Sequence, residues 1–182
     1  MTTTRKSLLA LAFLAIPIGS SAALASDASD APKIGSAAPA FNLTNNEGKP
    51  TRLSDFHGKW VVLYFYPKDF TSGCTLEAHN FQRDLAKYEK AGTVILGVSV
   101  DSATSHKDFC AKEGLNFKLL SDPDAKVSTE YGSVMTYQGA KLSARNTFLI
   151  NPDGKIAAVF IGVKPASHSE DVLDSLSHLQ SH

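Results

Sequence analysis

This sequence has only two cysteines and no excess of charge of either sign. Each of these two features excludes some classes of function. Its 182 residues carry 18 Lys and Arg against 18 Asp and Glu, so no charge imbalance points to a nucleic acid or a membrane surface as a partner. The composition, with 43% hydrophobic and 20% charged residues, is that of one globular domain with enough length for a core.

The two cysteines, Cys74 and Cys110, do not form the usual dithiol motif. A thiol–disulfide exchanger normally carries C-x-x-C, and no second cysteine follows Cys74 by three positions. The histidines also lack the compact spacing of a metal site. We therefore predict no bound metal and expect these histidines at the surface: His57, His79, His106, His168, His178 and His182.

The first 25 residues have the pattern of a secretory signal peptide. Arg5 and Lys6 form a short positive region, residues 8–18 form an apolar stretch too short to span a bilayer, and Ala23-Leu24-Ala25 is an A-x-A cleavage pattern. A buried N-terminal helix is the alternative interpretation. We expect export to the bacterial periplasm, where disulfides persist. The expected organisation of the chain is a signal peptide at 1–25, a flexible leader at 26–33 and one domain at 34–182.

Strand and helix patterns alternate along the rest of the chain. The apolar run at 59–67, which ends at Pro67, is typical of a strand buried on both faces. A hairpin over 145–150 and 155–162 surrounds the turn sequence NPDG. This order predicts an α/β fold of thioredoxin-like arrangement, a central mixed sheet flanked by helices. The remaining predicted elements are strands at 93–100 and 116–122 and helices at 75–90, 102–114, 124–132 and 167–180.

Cys74 lies where the predicted strand passes into the first helix. A thiol with an ordinary pKa of about 8.5 is only about 3% ionised at pH 7, and the free N–H groups of a helix start favour an anion. Gly73 permits close approach of the backbone, and Thr71 carries a hydroxyl near the sulfur. Beyond the signal peptide the chain has three arginines, and Arg145, at the start of the hairpin, is the one that a remote segment can deliver as a fixed cation.

The segment from Pro67 to Cys74, PKDFTSGC, matches the P-x-x-x-T-x-x-C signature of peroxiredoxins. The wider stretch at 64–81 resembles the Q-type branch, the bacterioferritin-comigratory-protein family, and the resemblance extends over about residues 34–180. It implies a thiol peroxidase in which Cys74 is the peroxidatic cysteine, Pro67 shields the pocket, Thr71 binds thiolate and peroxide, and Arg145 orients the sulfur. It implies hydrogen peroxide and organic hydroperoxides as substrates, and no metal, haem or flavin cofactor.

The chain departs from many Q-type relatives at the resolving cysteine. They carry it five residues after the first, where this sequence has His79. Other members have it on the next helix, where Cys110 falls here, so the resemblance implies a Cys74–Cys110 disulfide that a thioredoxin-like donor reduces. Two alternatives remain open: an inert, buried Cys110 with a one-cysteine mechanism, or a purely structural disulfide. Bridging requires the two Cα atoms within about 7 Å, so we expect the first turn around Cys74, alone or together with the helix that bears Cys110, to unwind on oxidation.

The remaining residues of the motif carry weaker signals. Glu77 lies in the first helical turn and is a candidate for a site role, while Lys68 and Asp69 are interpreted as solvated loop residues. The neighbouring aromatic residues are expected to form core and pocket wall: Tyr64, Phe65, Tyr66 and Phe70. Q-type resemblance favours a monomer. The rival functions are a thiol–disulfide exchanger and a non-enzymatic domain with one structural disulfide.

Overall fold

The computed structural model describes Met1 and residues 31–181. Apart from Met1, the predicted signal peptide lies outside the described residues, as do residues 26–30 of the predicted leader. Within the described chain, no helix is both long enough and apolar enough to cross a membrane. The strands are Asn42–Asn45 (β1), Pro50–Arg52 (β2), Trp60–Phe65 (β3), Thr93–Ser99 (β4), Lys118–Ser121 (β5), Val134–Tyr137 (β6), Ala140–Ser143 (β7), Thr147–Ile150 (β8) and Ile156–Phe160 (β9). The α-helices are Ser72–Lys90 (α1), Ala103–Glu113 (α2), Lys126–Glu130 (α3) and His168–Gln180 (α4).

Seven strands form one mixed sheet in the order β2-β1-β5-β4-β3-β8-β9. Strands β3, β4 and β5 are parallel neighbours, and β8 runs antiparallel to β3. The parallel strands are joined by the crossover helices α1 and α2, as a parallel connection requires. The sequence-based prediction of a mixed sheet flanked by helices, including the β8–β9 hairpin, is therefore confirmed.

The core lies on both faces of this sheet, and β3 contributes to each. Val62 and Tyr64 face the cluster that packs against α1, α2 and α4. Val61, Leu63 and Phe65 face the second cluster, on the other side of the sheet, which includes Val127 of α3. Side chains alternate between faces along a strand, so a strand in the middle of the sheet needs an unbroken apolar run. That requirement explains the sequence of β3.

The hairpin β6–β7 forms a separate two-stranded sheet that the sequence analysis did not predict. Its turn has Gln138 at φ 49° and Gly139 at φ 81°, the pair of left-handed residues that a two-residue hairpin turn uses. The strands are only four residues each. The turn residues Gln-Gly are the signal that identifies this hairpin in the sequence.

Candidate active site

The junction of β3 and α1 holds Cys74 at the start of a helix, as predicted. Thr71 is the N-cap residue, in extended conformation, and Cys74 is the third residue of α1. The first N–H groups of an α-helix have no intrahelical acceptor, so they and the helix dipole favour negative charge beside the sulfur. The Cys74 side chain is buried, with 2% of the residue exposed.

Strand pairing brings Arg145 to the same point. Because β8 runs antiparallel to β3, with Tyr64 opposite Thr147, the residue that precedes β8 lies beside the carboxyl end of β3. The Nη2 group of Arg145 donates to the Cys74 sulfur at 3.2 Å. A Cβ atom at Gly73 would lie 3.4 Å from that Nη2, so the glycine leaves room for the guanidinium. Arg145 is the arginine that the sequence predicts at the site, and the structure brings it into contact with Cys74.

Glu77, which the sequence marks as a candidate for a site role, lies in the same cluster as Cys74 and Arg145. One of its carboxylate oxygens, Oε2, accepts a short hydrogen bond from Nη1 of Arg145. Burial raises the pKa of Glu77 to about 7, although the Arg145 charge and hydrogen bond act in the opposite direction. In the described part of the chain, Oε1 of Glu77 has no hydrogen-bond partner. Glu77 therefore fixes the guanidinium while carrying a charge that depends on pH near neutrality.

Pro67 and Thr71 lie at the rim of an open pocket of about 480 Å³. The Thr71 hydroxyl donates to the Lys68 carbonyl oxygen at 2.9 Å, so its proton is directed at the loop and not at the Cys74 sulfur. The hairpin β6–β7 forms the opposite wall. Apolar and polar side chains share the lining, which comprises Pro67, Lys68, Thr71, Met135, Tyr137, Gln138, Ala140 and Leu142.

Cys110 lies in the last part of α2 and packs in the same core cluster as Cys74. Both thiols are free, so this structure is that of the reduced protein. Cys110 is 7% exposed. Burial, and next the negative charge of Asp69, raise the pKa of Cys110 to about 11. In this conformation Cys110 is a poorly ionised thiol.

Asp69 is not a solvated loop residue, contrary to the interpretation from sequence. It is 3% exposed and accepts hydrogen bonds from Tyr66 and Ser105, with His106 Nδ1 at 2.9 Å. Lys68, by contrast, is exposed as expected. A buried carboxylate needs donors, and two of these come from a helix more than thirty residues further along the chain.

His106 and His168 are not surface residues, which corrects a second expectation. His106 is fully buried, and His168 is 1% exposed. Burial lowers the pKa of His168 to about 4, and its Nε2 lies 2.7 Å from the Thr147 hydroxyl oxygen. The spacing of His106 four residues before Cys110 was a usable signal, because such positions share one helix face.

The four aromatic residues near the motif divide between core and surface. Tyr64, Phe65 and Tyr66 are buried, but Phe70 is 46% exposed and packs on Phe109.

Among the described residues, no three His, Cys, Asp or Glu side chains are grouped closely enough to hold a metal ion.

Residues 34–159 match the AhpC/TSA family. Peroxiredoxin Bcp of Escherichia coli is 41% identical over 151 residues, which cover 79% of this chain and 95% of that protein. The chloroplastic peroxiredoxin Q of Sedum lineare is 41% identical over 147 residues, which cover 80% of this chain and 78% of that protein.

The similar solved structures are also peroxiredoxins. A mutant of PrxQ from Xylella fastidiosa superposes with a TM-score of 0.78 at 35% identity, covering 82% of this chain and 98% of that one. Peroxiredoxin Q from Xanthomonas campestris superposes with a TM-score of 0.71 at 40% identity, covering 76% and 90%. The chain therefore belongs to the AhpC/TSA family, and within it to the Bcp or Q-type peroxiredoxins, which are thiol peroxidases.

Proposed function

We propose that the protein reduces hydrogen peroxide and organic hydroperoxides with Cys74 as the attacking thiolate and Arg145 as the group that stabilises it. The observation that carries this assignment is the contact of the Arg145 guanidinium with the Cys74 sulfur at 3.2 Å, at a helix start. Two sources of positive potential thus meet at one sulfur. Both favour the anionic form of a thiol, which is the attacking species.

The first step forms an S–O bond and breaks the O–O bond of the peroxide. The Cys74 thiolate attacks one oxygen, the other leaves as hydroxide or alkoxide and takes up a proton, and Cys74 becomes a sulfenic acid. The leaving oxygen gains negative charge in the transition state, so Arg145 and the N–H groups of the first helical turn are the stabilising donors. Glu77 holds Arg145 in position.

The second step joins Cys74 to Cys110. The sulfur of Cys110 attacks the sulfenic sulfur, the S–O bond breaks, and the oxygen leaves as water with the proton of Cys110. A dithiol donor of the thioredoxin type then reduces the disulfide and is itself oxidised to a disulfide. Because Cys110 is buried and its pKa is about 11, α2 must move before it becomes an effective nucleophile.

The pocket beside Thr71 is the expected site for the organic part of a hydroperoxide. Its volume of about 480 Å³ accommodates a short alkyl or aryl group. Met135 and Leu142 offer it apolar surface, and Pro67 belongs to the same lining. We expect Leu142→Asp to raise KM for cumene hydroperoxide and to leave KM for hydrogen peroxide nearly unchanged.

A stopped-flow titration of the reduced protein with hydrogen peroxide tests the assignment. Wild type should form one sulfenic acid and then one intramolecular disulfide per equivalent, as read by mass spectrometry without reductant. Cys74→Ser should lose all turnover while its thermal stability remains close to wild type. Consumption of peroxide no faster than free cysteine would overturn the peroxidase assignment. A Cys74–Cys74 link between chains, or a persistent sulfenic acid, would overturn the role of Cys110.

Export to the periplasm and a monomeric state are further parts of the proposal. The sequence pattern at 1–25 supports export, and Q-type relatedness supports a monomer. Sequencing of the N-terminus after expression and cell fractionation tests the first point. We expect a mature chain that begins near Ser26. Sedimentation velocity of the reduced and oxidised protein tests the second.

A further inference from the structure

One buried carboxylate ties the loop before Cys74 to the helix that carries Cys110. Asp69 lies in the loop between β3 and α1. Its Oδ2 accepts from the Ser105 hydroxyl at 2.7 Å and lies 2.9 Å from His106 Nδ1. Its Oδ1 accepts from the Tyr66 hydroxyl at 2.7 Å. Ser105 and His106 belong to the first turn of α2, so this carboxylate links the catalytic loop to that helix.

The link is buried and its proton arrangement is defined. Asp69 is 3% exposed and His106 is 0% exposed. An ionised carboxylate only accepts hydrogen bonds, so the Nδ1 atom of His106 must carry the proton. The backbone N–H of Asp69 also donates to Asp101 at 2.9 Å, which anchors the loop to the segment that leads into α2. A charge-assisted bond in a dry environment is stronger than one at the surface.

The link lies one helical turn from the resolving thiol. His106 and Cys110 are four residues apart on α2, hence on the same face of the helix. A second contact lies beside it, because the ring of Phe70 in the loop packs edge-to-face on Phe109, with centroids 5.1 Å apart. Phe70 itself adopts φ 61°, a left-handed conformation that is unfavourable for a bulky residue. The conformation of the loop at Phe70 must therefore be stabilised by contacts with other parts of the chain.

We propose that Asp69 and His106 are positioning residues that hold α2 against the catalytic loop and thereby set the rate at which the Cys74 sulfenic acid is converted to the disulfide. The inference rests on the proposed function of Cys74 and Cys110. With the link formed, Cys110 stays buried and protonated beside the Asp69 charge. Release of the link frees both the loop before Cys74 and the first turn of α2, so that the two sulfurs can meet.

This arrangement separates the two chemical steps. Sulfenic acid formation needs the closed loop, whereas disulfide formation needs the open one. An open state populated at a few per cent or less leaves most molecules ready for peroxide. Weakening the link therefore raises the open population about tenfold and still leaves at least half of the molecules closed.

The test compares variants of α2 in single-turnover experiments with one equivalent of hydrogen peroxide. His106→Leu removes the donor, while His106→Asn keeps an N–H group at the position of Nδ1. Lys107→Leu, at the exposed next residue, is the matched control. Acid quench and mass spectrometry give the rate of sulfenic acid formation and the rate of disulfide formation separately for each protein.

We expect His106→Leu to form the disulfide about tenfold faster than wild type and the sulfenic acid within about twofold of the wild-type rate. His106→Asn should return towards the wild-type rate, and Lys107→Leu should match wild type. Ser105→Ala, which removes a weaker donor to the same carboxylate, should give a smaller acceleration and keeps the proposal testable if His106→Leu does not fold. A merely structural role for His106 would slow both steps together.

Two results would overturn the inference: disulfide formation that is unchanged or slower in both His106→Leu and Ser105→Ala, or equal rates in His106→Leu and His106→Asn. Failure of the proposed function looks different, because the wild-type protein would then form no sulfenic acid, or no Cys74–Cys110 disulfide, in the same experiment.

Discussion

The surroundings of Cys74 and Cys110 differ in the sign of the charge that acts on the sulfur, while both residues are buried. Both residues pack in the core cluster on one face of the sheet, at 2% and 7% exposure. Cys74 accepts a hydrogen bond from a guanidinium. Cys110 lies in the field of the Asp69 carboxylate, which together with burial raises its pKa to about 11. The Cys74 sulfur therefore lies against a positive group, whereas burial first and the Asp69 charge second keep Cys110 protonated.

The comparison also indicates an order of events. The region around Cys74 is assembled in the reduced protein, with Arg145, Glu77 and the helix start already in contact. In the proposed cycle, the region around Cys110 becomes reactive only after a rearrangement. The folded, reduced protein would then react with peroxide directly and change conformation only before the second step.

The largest effect is expected from removing the positive charge beside Cys74. Arg145→Gln should slow sulfenic acid formation by about 10²–10³-fold, the usual cost of losing one donor to a developing charge. Stopped-flow measurement with the reduced protein gives this rate. Arg83→Gln is the matched control, since Arg83 pairs with Asp84 and Glu170 where α1 meets α4, and no contact of Arg83 with Cys74 is observed among the described residues. A loss of less than threefold would mean that Arg145 does not stabilise the transition state.

The second prediction concerns the protonated state of Cys110. In a Cys74→Ser background, Cys110 is the only thiol, and its alkylation by iodoacetamide at pH 8 should be about two orders of magnitude slower than in the unfolded chain. The rate should rise about tenfold per pH unit until pH approaches 11, because only the thiolate reacts. The same protein in urea supplies the reference rate. Equal rates in the folded and unfolded chain would remove the contrast between the two cysteines.

The third prediction uses the raised pKa of Glu77. Folding moves this pKa from 4.5 to about 7, so between these values the folded state binds more protons than the unfolded state. The contribution of Glu77 to stability is then present at low pH and is lost as pH rises. Relative to Glu77→Gln, wild type should lose roughly 2 kcal/mol of unfolding free energy between pH 5 and pH 8.

Urea denaturation of the reduced proteins at both pH values measures this difference. Glu89→Gln, an exposed position on the same helix, is the control and should track wild type. If wild type and Glu77→Gln change in parallel with pH, Glu77 titrates in the fold as it does in the unfolded chain.

The smallest effect is expected at Gly73. In Gly73→Ala the added methyl group would lie 3.4 Å from Nη2 of Arg145, at the lower limit of ordinary van der Waals contact. Because a small shift of the guanidinium would lengthen its contact with the Cys74 sulfur, sulfenic acid formation should slow severalfold at most. Replacing glycine in a helix should at the same time raise stability by roughly 0.5–1 kcal/mol. Parallel measurement of rate and unfolding free energy separates the two effects, and an unchanged rate would mean that the arginine tolerates the methyl group.

Much of the site could be predicted because its parts are adjacent in sequence. The strand before Cys74, the glycine and the helix start all lie within residues 59–90, and the predicted helix at 75–90 is observed at Ser72–Lys90. Arg145 could be predicted for a different reason, because the chain has few arginines and this one lies at the start of the predicted hairpin. Local pattern and composition were sufficient for these residues.

Asp69 and His106 were misassigned because burial of a polar side chain depends on a partner elsewhere in the chain. A loop aspartate with no visible donor is expected in water. The donors that stabilise it lie on α2, and only the packing of that helix against the loop brings them within hydrogen-bond distance. The hairpin β6–β7 was missed for a related reason, since its short strands have weak periodicity.

The amino-acid sequence alone determined the order of the central strands and of the helices, the nucleophile and its place at a helix start, because these follow from apolar periodicity and from neighbours within a few residues. Only the tertiary structure decided which charges face the two sulfurs. Electrostatic effects in a dry interior act over a few ångströms in space, and the groups concerned, Arg145 with Cys74 and Asp69 with α2, come together through strand pairing and helix packing between segments that are distant in the chain.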